Sequence, residues 1–93
     1  MGGIMREALT EIYSDKTNAA ILRHPDRQYP GLLLQGDTLH ILCYKMDLAM
    51  SKIDRNSASY EELNEVRNSI WDLKNHYKSV LVEHGIPMPF SEI

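Results

Sequence analysis

Cysteine is nearly absent, with Cys43 alone among 93 residues. One thiol cannot form an internal disulfide framework or a zinc site of several thiolates. It suits a reducing cytoplasm, and its place in an apolar helical run points to a buried, inert thiol. Long apolar runs are also missing. None approaches the ~20 residues that a membrane helix needs. The opening Met1-Gly2-Gly3-Ile4-Met5-Arg6 has no apolar signal-peptide core. Excess positive charge is lacking too. Ten Lys and Arg face thirteen Asp and Glu, a net charge of −3, which argues against nucleic acid as a general partner. Several motifs are absent as well: a phosphate-binding GK[ST] loop, a dinucleotide fingerprint, a Gly-x-Ser-x-Gly elbow and a His-Glu-x-x-His pair. No cofactor, metal site or enzyme class is indicated.

What is present is ordinary globular composition, 43% hydrophobic and 25% charged. The length suits one domain over 1–93. So small a domain has a thin stability margin, which makes self-association a reasonable expectation. Charge is unevenly spread. Residues 1–36 hold four acidic and four basic groups, while 37–93 hold nine acidic and six basic groups. The whole deficit therefore lies in the second part.

Periodicity divides the chain. Residues 6–14 contain strand-forming Thr, Ile and Tyr, although Glu7, Ala8 and Leu9 also suit a helical turn. Turn formers at 14–18 lead to an apolar run, Ala19 to Arg23, and the spacing suggests a hairpin. Pro25 ends that run. Pro30 and Gly31 suit the centre of a type II turn. Gly31 to Gln35 is too short for a stable helix and reads as a buried strand. Asp37 is a preferred N-cap residue, opening a helix over 37–54. Its stripe runs through Leu39, Leu42, Met46, Ala49 and Ile53, widened by Cys43 and Met50. Ser59 and Glu62 form a capping-box pattern at the start of a helix over 59–84. Its stripe is Leu63, Val66, Ile70, Leu73, Tyr77 and Val80. Gly85, Pro87 and Pro89 end it. The resulting fold class is α+β: a two- or three-stranded antiparallel sheet over 6–35, then an antiparallel two-helix hairpin. Trp71, Leu81 and Val82 lie outside the narrow stripe and suit packing on the sheet or on a partner. The Pro-rich tail, 85–93, is apolar at Ile86, Met88 and Phe90, which suits folding back or docking on another chain.

The richest segment is Arg23-His24-Pro25-Asp26-Arg27-Gln28-Tyr29. Two arginines offer forked donors for a carboxylate or phosphate, and His24 can move a proton. With Asp37 near a helix N-terminus, the segment reads as an anion- or partner-binding loop. The simpler reading is a solvated loop in which Asp26 pairs with Arg27 or Arg23, since surface ion pairs are common and Asp37 already occupies the helix cap. Asp37, His40 and Cys43 share a helix face at metal-ligand spacing, but a cap, a partly exposed His and a buried thiol explain them. His76 and His84 suit the negative end of a helix. Met46, Met50, Trp71 and Tyr77 are core by spacing, or an adaptable surface.

The run from Asn18 to Leu39 resembles a segment of small bacterial proteins of unknown function. In those, an Arg-x-Pro-x-Arg-like stretch passes through an aromatic-Pro-Gly turn into an apolar strand ending Gln-Gly-Asp. Here the matching residues are Arg23-His24-Pro25-Asp26-Arg27, Tyr29-Pro30-Gly31 and Gln35-Gly36-Asp37. The resemblance implies no activity. In size and acidity the chain is also similar to antitoxin-like and immunity proteins, which block a toxin by direct binding. The expected function is therefore non-enzymatic binding of a protein partner, including a second copy as a homodimer. Glu61, Glu62, Glu65, Trp71 and Asp72 are the candidate partner surface. The alternative is a small anion-binding module using the Arg23–Arg27 loop.

Overall fold

The structure, a computed structural model, describes residues 4–91. The first three residues of the N-terminal segment and the last two of the 85–93 tail lie outside the described residues. The fold is α+β, a three-stranded antiparallel sheet followed by two helices. The described chain falls into two compact units, one up to Gln35 and one from Gly36 onward.

The first unit is the sheet: β1 (Glu11–Ser14), β2 (Ala20–Arg23) and β3 (Gly31–Leu33), in that spatial order. In the β1–β2 hairpin Glu11 lies opposite Arg23 and Ile12 opposite Leu22, but Ser14 lies opposite Ile21. Tyr13 is thus the extra residue of a bulge, which increases the local twist. Thr17 closes the turn, its hydroxyl accepting from the Ala19 N–H at 3.2 Å. Residues 6–10 belong to neither strand nor helix, so the strand expected from 6 starts only at Glu11.

Two other expectations fail here. Gly31 does not occupy a type II turn, which requires φ > 0 at that residue. Gly85 is the only glycine with positive φ among the described residues, and Gly31 instead opens β3 opposite Leu22. The turn forms earlier, where the Arg27 N–H donates to the His24 carbonyl at 3.0 Å, with Pro25 supplying the preset φ. β3 is also not a buried strand, because all three of its residues are exposed. It is a three-residue edge strand, and none of the described residues up to Gln35 is buried.

The second unit is an antiparallel hairpin of α1 (Gly36–Ser51) and α2 (Tyr60–Glu83). Gly36 faces Tyr77 near one end and Asp47 faces Arg67 and Trp71 further along, so the helices run in opposite directions. A Cβ at Gly36 would overlap the Tyr77 ring, so the close approach requires glycine there. α1 begins one residue before Asp37 and ends three before the expected 54. Asp37 therefore sits inside the first turn, where its carboxylate accepts from the Thr38 N–H at 2.8 Å. The connection runs through an Asx turn, with the Asp54 carboxylate accepting from the Asn56 N–H at 2.9 Å. The Ser59 capping box does not form. Ser59 has helical φ/ψ and makes no side-chain cap bond, whereas a capping hydroxyl needs extended backbone. The end of α2 is a complete Schellman motif. The Ile86 N–H donates to the Leu81 carbonyl at 2.9 Å, the Gly85 N–H to that of Val82 at 3.2 Å, and Gly85 has φ 66°.

The buried stripes are turned from those expected. On α1 the buried residues are Gly36, Leu39, Cys43 and Met50, while Leu42 is exposed. On α2 they are Lys74 and Leu81, while Val66 and Leu73 are exposed. Lys74 is only 2% exposed. Its ammonium lies 4.5 Å from the Trp71 ring centroid and 5.1 Å from that of Phe90, so a cation is buried against aromatic faces. Phe90 in turn stacks on His40 with centroids 4.4 Å apart and planes at 4°. The tail thus folds back onto the helical unit.

One carboxylate oxygen links the two helices. Asp47 Oδ1 accepts from Arg67 Nε at 2.6 Å and from Trp71 Nε1 at 3.0 Å. We expect Asp47→Ala to destabilise the helical unit by about 1–3 kcal/mol, because both donors lose their acceptor in a partly buried site. Urea unfolding followed by Trp71 fluorescence reads this. Asp47→Asn, which keeps an oxygen acceptor but no charge, should lose less.

Candidate functional site

The loop between β2 and β3 builds the most developed site in the sheet unit. Pro25 turns the chain, and the His24 ring anchors it. His24 Nδ1 accepts from the Asp26 backbone N–H at 3.0 Å. Its Nε2 lies 3.5 Å from Arg6 Nη2. The expected partners of the charged residues are replaced by others. Asp26 does not pair with Arg23 or Arg27; Arg6 binds its carboxylate at 2.6 Å. Arg23 Nε donates to Glu11 Oε1 at 2.6 Å, and its Nη1 donates to the Arg27 carbonyl at 2.8 Å. The Arg23 pairing follows from sheet register, which sets Glu11 opposite Arg23.

The Arg27 guanidinium is left without an acid or acceptor among the described residues. It lies beside an open groove that encloses about 490 Å³. Leu22, Leu32 and Leu33 line the groove with Tyr29, and His24, Arg27 and Gln28 supply its polar atoms. Gly31 also borders it, and a Cβ there would meet only open space. Of the predicted loop residues the groove unites His24, Arg27 and Tyr29. Arg23 and Asp26 are tied up in ion pairs behind it. Asp37 belongs to the helical unit.

The other predicted residues are in α2. Glu61, Glu62, Glu65 and Asp72 are all exposed. Trp71 is half-buried, with its indole N–H on Asp47 and the Arg67 guanidinium 5.7 Å from its ring centroid. It works inside the hairpin. Cys43 is fully buried, and burial pushes its thiol pKa up, partly opposed by the charge of Lys74. Among the described residues no group of three or more His, Cys, Asp or Glu is placed to hold a metal. No described helix is long and apolar enough to cross a membrane.

Sequence reading missed Arg6, Glu11, Leu22, Leu32 and Leu33 as parts of this region. The hairpin register was the available signal for Glu11. Nothing in the local sequence marks Arg6, which is 20 residues from Asp26.

The model of a family of unknown function, DUF6959, matches residues 5–90. The chain belongs to that family. The match spans both compact units, and the groove-lining residues fall within it. Nothing among curated proteins or solved structures matches the chain.

The Glu11–Arg23 pair carries a pH dependence. The Arg23 guanidinium, through its hydrogen bond, holds the Glu11 carboxyl below the usual carboxylate range, helped by the Tyr13 hydroxyl. A depressed pKa stabilises the fold above the unfolded value, and that contribution is lost as pH falls through the folded one. Acidification should therefore loosen the β1–β2 hairpin. Glu11→Gln should abolish that acid step in amide-exchange rates at Ile12 and Leu22.

Proposed function

We propose that this chain is a non-enzymatic protein-interaction module and that its sheet unit makes the contact. One observation carries the reading. Ile12 and Leu33 on one face of the three-stranded sheet, and Ile21 and Leu32 on the other, are all exposed apolar side chains, and no residue of the three strands is buried. A sheet of this size needs a hydrophobic face covered to be stable. Exposed apolar surface beside polar residues is what a protein partner covers, whether a second copy or another protein. Binding rather than catalysis also fits the loop chemistry. The Asp26 carboxylate is held by Arg6 in an exposed ion pair, which suits a framing role for the loop. A bacterial cytoplasmic setting fits the resemblance and the buried thiol.

A toxin-neutralising version has its own support. Glu61, Glu65 and Asp72 lie within about 40° of one another around α2 at 100° per residue. Exposed acidic side chains in one row complement a basic partner and speed its association.

The double variant Leu32→Lys/Leu33→Lys tests the main reading. Wild type and variant serve as matched baits in host extract, with captured proteins quantified by mass spectrometry and self-association by sedimentation. We expect a partner, or the dimer, to be lost from the variant while the far-ultraviolet circular dichroism of the helical unit is retained. Identical capture and identical sedimentation of the two baits would refute it. If alanine at Glu61, Glu62, Glu65 and Asp72 removes the partner instead, the acidic-row version takes its place.

A further inference from the structure

We propose that the groove beside β3 receives an extended peptide segment of a partner protein, one that adds as a fourth strand and places an Asp or Glu side chain on Arg27. This rests on the protein-interaction reading and names the partner's chemistry. Three features of the sheet unit carry it.

First, β3 is the end strand in the order β1-β2-β3, and no strand lies on its other side among the described residues. Its unpaired backbone groups are a template for a further strand, and main-chain hydrogen bonds would supply sequence-independent affinity. Edge strands are commonly guarded by a charged residue or proline within the strand. Gly31-Leu32-Leu33 has neither, and only its shortness limits pairing to a few backbone bonds. Second, the groove is apolar along Leu22, Leu32 and Leu33 and borders the strand edge. Gly31 borders it, and a Cβ there would meet nothing within 4 Å. Third, the charges around it are unequal. Arg23 is neutralised by Glu11 and Arg6 by Asp26. Arg27 has no such partner among the described residues and borders the groove. The occupant is thus apolar along its length and anionic at one position. A guanidinium holds a carboxylate through two parallel N–H donors, giving register as well as charge.

A displayed random-peptide library selected against the whole chain tests this. Wild type should enrich apolar, β-branched segments containing Asp or Glu. Arg27→Gln should keep the apolar preference but lose the acidic one, and bind the selected peptide about tenfold more weakly, the size of one lost charged hydrogen bond. Gly31→Trp fills the groove without backbone strain and should remove all enrichment. Methylating alternate backbone nitrogens of the selected peptide should abolish binding, because strand addition needs those donors. The inference is overturned if acidic residues are not enriched, if the acidic preference survives Arg27→Gln, or if the N-methylated peptide binds equally well. Should any of these occur while Leu32→Lys/Leu33→Lys still loses its partner, the strand-addition inference falls and the interaction module stands. If that double variant loses nothing as well, both fall.

Discussion

A buried lysine is the constraint on which the helical unit turns. The cost of placing a Lys74 ammonium at 2% exposure is large unless its surroundings answer the charge. Trp71 and Phe90 present their rings to it, and each ring is itself held. Trp71 is oriented through its indole N–H by Asp47, which also binds Arg67. Phe90 is stacked on His40. The chain of contacts runs from the tail through α2 to α1. It explains why a Pro-rich tail that cannot be helical folds back. It also explains why Gly36 is a glycine, because Tyr77, next to Phe90, occupies the space where its side chain would be.

The sheet unit obeys a different constraint. Three strands of three or four residues make too small a surface to bury anything fully, and no described residue of this unit is buried. Its order comes from backbone pairing, the bulge at Tyr13 and surface ion pairs such as Glu11–Arg23, which are individually weak. Such a unit presents apolar and backbone hydrogen-bonding groups at its surface. Those are the groups a protein partner uses; the helices expose apolar side chains too, at Leu42, Val66 and Leu73, but no unpaired strand edge. The loop from His24 to Tyr29 then acts as a frame. Its turn and its ion pairs hold Arg27 and the groove residues in place.

Much of the fold was legible because it depends on local rules. Apolar spacing of three and four announced both helices, turn formers announced the β1–β2 hairpin, and Gly85 marked the end of α2. The misread helix faces share one cause. Leu42, Val66 and Leu73 lie on the apolar stripes yet are exposed, while Lys74, which no stripe contains, is buried. A hydropathy pattern counts lysine as polar along its whole length. It does not register that the aliphatic stem can be buried while the ammonium meets aromatic rings. Pro30-Gly31 was a turn by composition and part of a strand approach in fact, since pairing of Gly31 with Leu22 overrode the local preference. The candidate site was legible as a segment and not as a set of roles.

By itself the sequence determined the element types, their order, the α+β class and the charged loop in which a site would lie. These follow from periodicity, capping and turn chemistry, all of which act over a few residues. Only the tertiary structure decided which face of each helix is buried, that Asp26 belongs to Arg6 and Arg23 to Glu11, and that Arg27 alone of these arginines has no acid partner among the described residues. Those outcomes depend on residues some 12 to 24 positions apart reaching one another, and no local pattern records which of several equivalent charges will win a given partner.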